Sequence, residues 1–226
     1  MTTKSTTNKS KQSSKKTNSR AFKDREGIIE ANLKDLTSAA ISAIQNDEAH
    51  ILRALLRAGL PTDSGYDVGK LIHASILHMS FESLVALIEF KADVNIDNRW
   101  KEKAIHLAAE LDFVDAIKVL MEAGAEIDPR DGVFRTPLMR ATMKSSTSAS
   151  KFLVDNGADI NATNLTRTES PLLNSINARN NELIIYLLDR GADTSLVQPP
   201  YAKLSDIAKD KGVKRDIIRM LRDEEE

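Results

Sequence analysis

Four histidines and three recurring aspartates are the first residues in this chain that could do chemistry. His73 and His106 stand 33 residues apart. An imidazole pair can ligate a metal or move protons, but a metal site needs convergent ligands. No carboxylate is placed to join both rings, and the chain has no cysteine. Disulfides, thiol nucleophiles and thiolate metal sites are therefore excluded. Asp93, Asp159 and Asp193 could suggest an acidic constellation. Each instead precedes or follows the same small residues in the same local phrase, Ala-Asp-Val-Asn, Ala-Asp-Ile-Asn and Ala-Asp-Thr-Ser. A turn role explains them all. There is no glycine-rich phosphate loop, no G-x-S-x-G and no H-E-x-x-H. The expectation is no catalytic residue, no cofactor and no metal.

What positions these residues is a repeat. Residues 103–128 read as two short amphipathic helices followed by an extended turn. Ile105, Leu107, Ala108 and Ala109 mark the first helix, and Ala116, Ile117, Val119, Leu120 and Met121 the second. Gly124 stops the second helix. The unit's head reads KLIH at 70–73, KAIH at 103–106, TPLM at 136–139 and SPLL at 170–173, in steps of 33, 33 and 34. Its end reads KADVN at 91–95, GAEID at 124–128, GADIN at 157–161 and GADTS at 191–195, in the same steps. Two motifs holding one register four times define a repeat protein.

At these residues the chain resembles the ankyrin-repeat family, whose period is about 33 residues and whose signature is T-P-L-H-x-A. Thr136-Pro137-Leu138, Ser170-Pro171-Leu172 and Ile105-His106-Leu107-Ala108-Ala109 are partial copies. The resemblance covers roughly residues 36–221. It implies an all-α solenoid of about six helix-turn-helix units with β-hairpin fingers. It also implies binding of other proteins, and a structural role for His73 and His106 against the backbone of the neighbouring loop.

The expected divisions are a basic Ser/Thr/Lys-rich tail over 1–25, a repeat domain over 26–222 and an acidic fray over 223–226. Within the domain lie an N-terminal cap at 32–64, units at 65–97, 98–130, 131–163 and 164–197, and a C-terminal cap at 198–222. Composition supports this: 41% hydrophobic and 4% aromatic residues fit thin aliphatic layers. The first twenty residues carry six cations and no acid, so with an overall charge of −1 the rest is near −7 (−1 − 6). Such a segment lacks apolar surface to offset its ordering entropy. It reads as a solubilising tail, with an import signal or an acidic-surface tether as alternatives. No apolar run approaches the roughly 20 residues of a membrane helix. An intracellular location, cytoplasmic or nuclear, is expected.

Three local departures matter. The turn between paired helices usually carries glycine, but Met79, Asp112, Ser145 and Arg179 stand there. An extra residue near Glu169 predicts a longer finger. The run 144–150 places poor helix formers at a helix start, where Ser146 or Thr147 could cap it.

Recognition is expected of residues outside the stacking register. At the tips these are Tyr66 and Asp67, then Arg99, Trp100 and Lys101, then Val133, Phe134 and Arg135, then Arg167. On the first helices' ends they are Leu77 and His78, Glu110 and Leu111, Met143 and Lys144, and Asn177. Arginine and aromatic side chains are enriched at binding hot spots. Trp100 reads either as an exposed anchor or as a cover folded onto the core. The basic tips favour a protein partner with an acidic patch. The alternative is a nucleic acid held by basic fingers and tail, against which stand the body's negative charge and the missing stacking platform.

Overall fold

The computed structural model describes residues 32–66, 69–196 and 203–225. The basic tail over 1–25, Asp67 and residues 197–202 between the last two units lie outside these residues. Helices dominate and fall into consecutive pairs. The first pair is α1 (32–45) and α2 (Ala49–Arg57), and the second is α3 (Leu71–Leu77) and α4 (Phe81–Glu89). Then come α5 (Ala104–Glu110) with α6 (Val114–Glu122), and α7 (Pro137–Lys144) with α8 (Thr147–Asp155). The last two pairs are α9 (Pro171–Asn177) with α10 (Asn181–Asp189), and α11 (Leu204–Asp210) with α12 (Arg215–Glu225). First helices pack on first helices, α3 on α5, α5 on α7 and α7 on α9. Second helices do likewise, α2 on α4, α4 on α6 and α6 on α8. The result is the expected all-α solenoid.

The starts of α3, α5, α7 and α9 have a physical cause. Thr136 and Ser170 accept hydrogen bonds from the Met139 and Leu173 amides, with Pro137 and Pro171 at the first helical position. Proline there gives up an amide that would be orphaned anyway. In α3 and α5 a histidine closes the start instead. His73 Nδ1 accepts from the Lys70 amide and His106 Nδ1 from the Lys103 amide, both at 3.1 Å.

The turns between paired helices hold left-handed backbone without glycine. Asp47, Met79, Asp112, Ser145 and Arg179 all have φ between 55° and 61°. Each costs on the order of 1 kcal/mol relative to glycine. At Asp112 the side chain offsets this, because its Oδ1 accepts from the Ala149 amide at 2.6 Å. That bond caps α8 from the preceding unit. Neither Ser146 nor Thr147 does so, which corrects the sequence expectation. Ser146 Oγ donates to the Glu110 carbonyl at 2.8 Å, and Thr147 Oγ1 to the Ser145 carbonyl.

The loops before the first helices project as fingers. In the first, Gly65–Tyr66 (β1) and Gly69–Lys70 (β2) form a two-stranded antiparallel ladder. The other three form no ladder. Asn98, Asp131 and Asn164 stand at the register of Gly65, and their Oδ1 atoms take tip amides. Asn98 accepts from Trp100 and Glu102, Asp131 from Val133 and Arg135, and Asn164 from Thr168. Such side-chain turns compete with strand pairing. Gly65 offers no competitor, and a Cβ there would fall 2.4 Å from the Gly69 carbonyl oxygen. The fourth finger closes from Asn164 to Glu169 rather than over four residues, so the extra residue does lengthen it.

The aliphatic core runs unbroken from α1 to α8 and includes Ile44, Leu84, Ile105, Ile117, Leu120 and Leu138. A second cluster, with Ile176, Leu187, Leu204 and Ile217, fills α9 to α12.

Candidate partner-binding face

The fingers and the exposed ends of the first helices form one continuous face, and its centre is Arg140 on α7. The guanidinium pairs with Glu102 on the second finger. It stands 3.3 Å from Glu110 at the end of α5 and 3.8 Å from Asp131 in the third finger. Glu110 also pairs with Lys144 at 3.2 Å. Each of Arg140, Glu102 and Glu110 keeps no more than a quarter of its side chain exposed. Glu110 is therefore a floor residue engaged within the fold.

Above this floor opens a cleft of about 570 Å³, walled by Trp100 and Lys101 on one finger and Gly132 and Val133 on the next. The two fingers touch directly. The Gly132 amide donates to the Trp100 carbonyl at 2.8 Å, and a Cβ on Gly132 would meet that oxygen at 2.7 Å. Only glycine lets the tips come this close. Trp100 keeps 47% of its surface exposed, with the Arg99 guanidinium 4.2 Å from its ring centroid. It is an exposed side chain leaning on its neighbour, not a lid on the core.

The other tip residues divide. Val133, Phe134, Lys101 and Arg167 are exposed. Lys101, Phe134 and Arg167 share a left-handed backbone, φ 52° to 65°, which turns the chain at each tip. Arg135 is not a free tip residue, contrary to the expectation. It forms a bidentate pair with Glu169 on the fourth finger, at 2.6 and 2.7 Å. That carboxylate raises its pKa further. Tyr66 is exposed, but its hydroxyl lies 2.8 Å from Ser38 Oγ on α1. Along the helix ends Leu77, His78, Leu111, Met143, Lys144 and Asn177 are all exposed.

The residues with chemical potential are structural. His73 is 1% exposed and His106 0%. With Nδ1 accepting an amide, each neutral ring carries its proton on Nε2. His73 donates it to the Glu102 carbonyl at 3.0 Å, and His106 to the Pro129 and Arg135 carbonyls. Burial pushes both pKa values below the usual histidine value. Each ring thus fixes the next finger. Asp93, Asp159 and Asp193 accept from the amide two residues on, as turn residues do. Among the described residues no three histidine or carboxylate side chains are grouped to hold a metal ion, and no helix is long and apolar enough to cross a membrane.

Sequence reading missed the ladder beside the fingers. Asn95 Oδ1 accepts from the Glu126 amide while its Nδ2 donates to the Gly124 carbonyl, so it bonds the next unit rather than its own turn. Asp128 and Asn161 repeat the first bond to Asp159 and Asp193. The signal was present, since these positions share the 33-residue step.

This stack of helix pairs, with fingers pinned by buried histidines, defines a class. Residues 71–164 match the family model described as ankyrin repeats, in three copies, and the chain carries ankyrin repeats over that span. It is similar to the NF-kappa-B inhibitor cactus of Drosophila yakuba, 33% identical over 93 residues, 39% of this chain and 19% of that protein. It is also similar to the putative palmitoyltransferase ZDHHC13 of Danio rerio, 27% identical over 154 residues, 67% of this chain and 24% of that protein. A third relative is the BRCA1-associated RING domain protein 1 of Caenorhabditis elegans, 30% identical over 113 residues, 50% and 16% of the two chains. The matched region spans a quarter or less of each relative's length.

Proposed function

We propose that this chain is a non-catalytic module that binds a partner protein along the fingers and first-helix ends, as an adaptor, inhibitor or assembly factor inside the cell. One observation carries the reading. Most large apolar side chains exposed among the described residues lie on this face: Trp100, Val133, Phe134 and Leu165 on the fingers, and Leu77, Leu111 and Met143 on the helix ends. Aligned exposed apolar groups of this kind mark interaction surfaces. The ankyrin repeats and the likeness to an inhibitor protein support the same view. The face is preformed by bonds between fingers, which keeps the ordering cost of binding low.

The test is cross-linking capture from the source cells with the wild type and with Trp100→Ala/Phe134→Ala. Loss of specific partners from the variant is the expected result. Identical partner sets would remove this face as the binding surface.

A further inference from the structure

At the cleft between the second and third fingers two tips meet through backbone alone, the Gly132 amide donating to the Trp100 carbonyl. Gly132 does not have a left-handed φ, so its own conformation does not demand glycine. The contact does. A Cβ would stand 2.7 Å from the Trp100 oxygen, a main-chain atom that cannot swing aside as a side chain can. This bond sets the two apolar walls, Trp100 and Val133, against each other before any ligand arrives. The walls stay open to solvent, Trp100 47% and Val133 56% exposed, and the space between them, about 570 Å³, is of the size of ligand clefts.

The side-chain groups left free at the cleft are donors. Arg99 and Lys101 are exposed and form no ion pair among the described residues, and the Trp100 indole N–H donates to none of them. The carboxylates of the cleft are already engaged. Glu102 takes Arg140 and the Asn98 side-chain amide, and Asp131 takes the Val133 and Arg135 amides. An occupant that covers Trp100 must therefore bring apolar bulk for the walls and an acceptor for the indole N–H, which would otherwise be buried unpaired. Negative charge suits the two free cations beside it. We propose that the cleft receives one large apolar side chain of a partner protein, carried on an exposed segment where carboxylates flank it in sequence. The apolar side chain enters between Trp100 and Val133. The flanking carboxylates pair with Arg99 and Lys101 and accept from the indole. A nucleic acid would bring a charge on every nucleotide to only two free cations, above the carboxylates of Glu102, Glu110 and Asp131. This inference rests on the protein-binding reading and names the partner's chemistry.

The experiment is selection of random displayed peptides on the whole chain, followed by fluorescence anisotropy of the most enriched peptide, with an oligothymidylate as competitor. Enriched sequences are expected to hold a large apolar residue beside Asp or Glu. The chosen peptide should bind at least about tenfold more weakly to Trp100→Ala, to Gly132→Ala and to Arg99→Glu/Lys101→Glu. Gly132→Ala removes no recognition side chain, so its loss of binding reports the width of the cleft, provided its thermal melt matches the wild type. Should it fail to fold, the charge variant carries the test, because Arg99 and Lys101 are exposed. Ile185→Ala, exposed on α10 away from the fingers, should leave binding unchanged. Enrichment without acids, or full binding to Arg99→Glu/Lys101→Glu, overturns the carboxylate requirement. Full binding to folded Gly132→Ala and to Trp100→Ala removes the cleft as the site. Displacement by oligothymidylate assigns the cleft to nucleic acid. Absence of any enrichment overturns the inference, while the capture experiment separately decides whether the face binds protein at all.

Discussion

The stack from α1 to α8 and the stack from α9 to α12 are built from the same kind of unit, yet they are joined differently inside and between. Within the first, one aliphatic cluster passes through every layer. At the boundary between α7/α8 and α9/α10 that cluster stops, and a second begins. Val154 on α8 packs against both clusters and Ile160 against the second, and several polar contacts cross beside them. Asn174 Nδ2 donates to the Met139 carbonyl, Asn180 Nδ2 to Thr147 Oγ1 at 2.7 Å, and Tyr186 to Asp155 at 2.8 Å. Lys151 pairs with Glu182, and Arg135 with Glu169. The Lys151–Glu182 pair is largely exposed, and such pairs commonly contribute under about 1 kcal/mol. In a solenoid, stability sums over units and their interfaces, so an interface where the buried cluster stops is a place where cooperativity can break.

The largest expected effect tests that break. Leu120 and Leu187 are fully buried, one in each cluster. Truncation of either to alanine should cost about 3 kcal/mol. Native-state hydrogen exchange should then show Leu187→Ala lowering protection in α9–α12 while α3–α6 keep theirs. If protection falls equally in both stacks, the boundary transmits as well as any other layer and the comparison fails.

Acid provides a second contrast, because both buried histidines belong to the first stack. Their native pKa values lie below the ordinary value, chiefly from burial. The unfolded chain therefore binds more protons as pH falls below about 6.5. Stability contributed by the neutral rings is complete above that pH and declines below it, by at most about 1.4 kcal/mol per pH unit for each ring. Denaturant melts followed by a probe in each stack should show the first losing stability between neutral pH and pH 5 while the second changes less. His106→Gln should flatten the first stack's dependence. A dependence shared equally by both stacks would count against separate blocks.

The periodic parts of this architecture were legible before any coordinates. Helix pairs, the glycine-free turns at Met79 and Asp112 and the long fourth finger all follow from local chain chemistry repeated in register, while the Thr136 and Ser170 caps emerge only from the structure. The boundary was not legible, because the aliphatic spacing of α9 and α10 resembles that of α5 and α6 while the break depends on which side chains meet across layers. The same limit applies to the face. Sequence placed Arg135 at a tip, but only packing shows Glu169 within reach, supplied by the finger with the extra residue. Asp112 likewise reads as a strained turn residue, and its capping of α8 is a contact 37 positions away. Trp100 could be read two ways from composition alone. Its 47% exposure, with the Arg99 guanidinium against its ring, decides for exposure.

A smaller effect sharpens the comparison at the edge of the first stack. Asn95, Asp128 and Asn161 form equivalent rungs between units, but the middle one is a carboxylate. Its Oδ2 accepts from the Asp159 amide at 2.9 Å. Its Oδ1 is buried without a partner, at the register where Asn95 donates from Nδ2 to a glycine carbonyl. Burial accordingly raises its pKa above the ordinary 3.8. A raised carboxyl pKa means that ionisation favours the unfolded chain, so this rung weakens as pH climbs past about 4. Asp128→Asn supplies the missing donor. At neutral pH it should raise stability by about 1 kcal/mol, and the gain should fade below pH 4, where the protonated acid can donate for itself. The pH trend is opposite in sign to that of the histidines, so the two can be separated in one titration. An unchanged or lower stability at pH 7 would show that Oδ1 meets something other than the carbonyl its register implies, and the three rungs would no longer be equivalent.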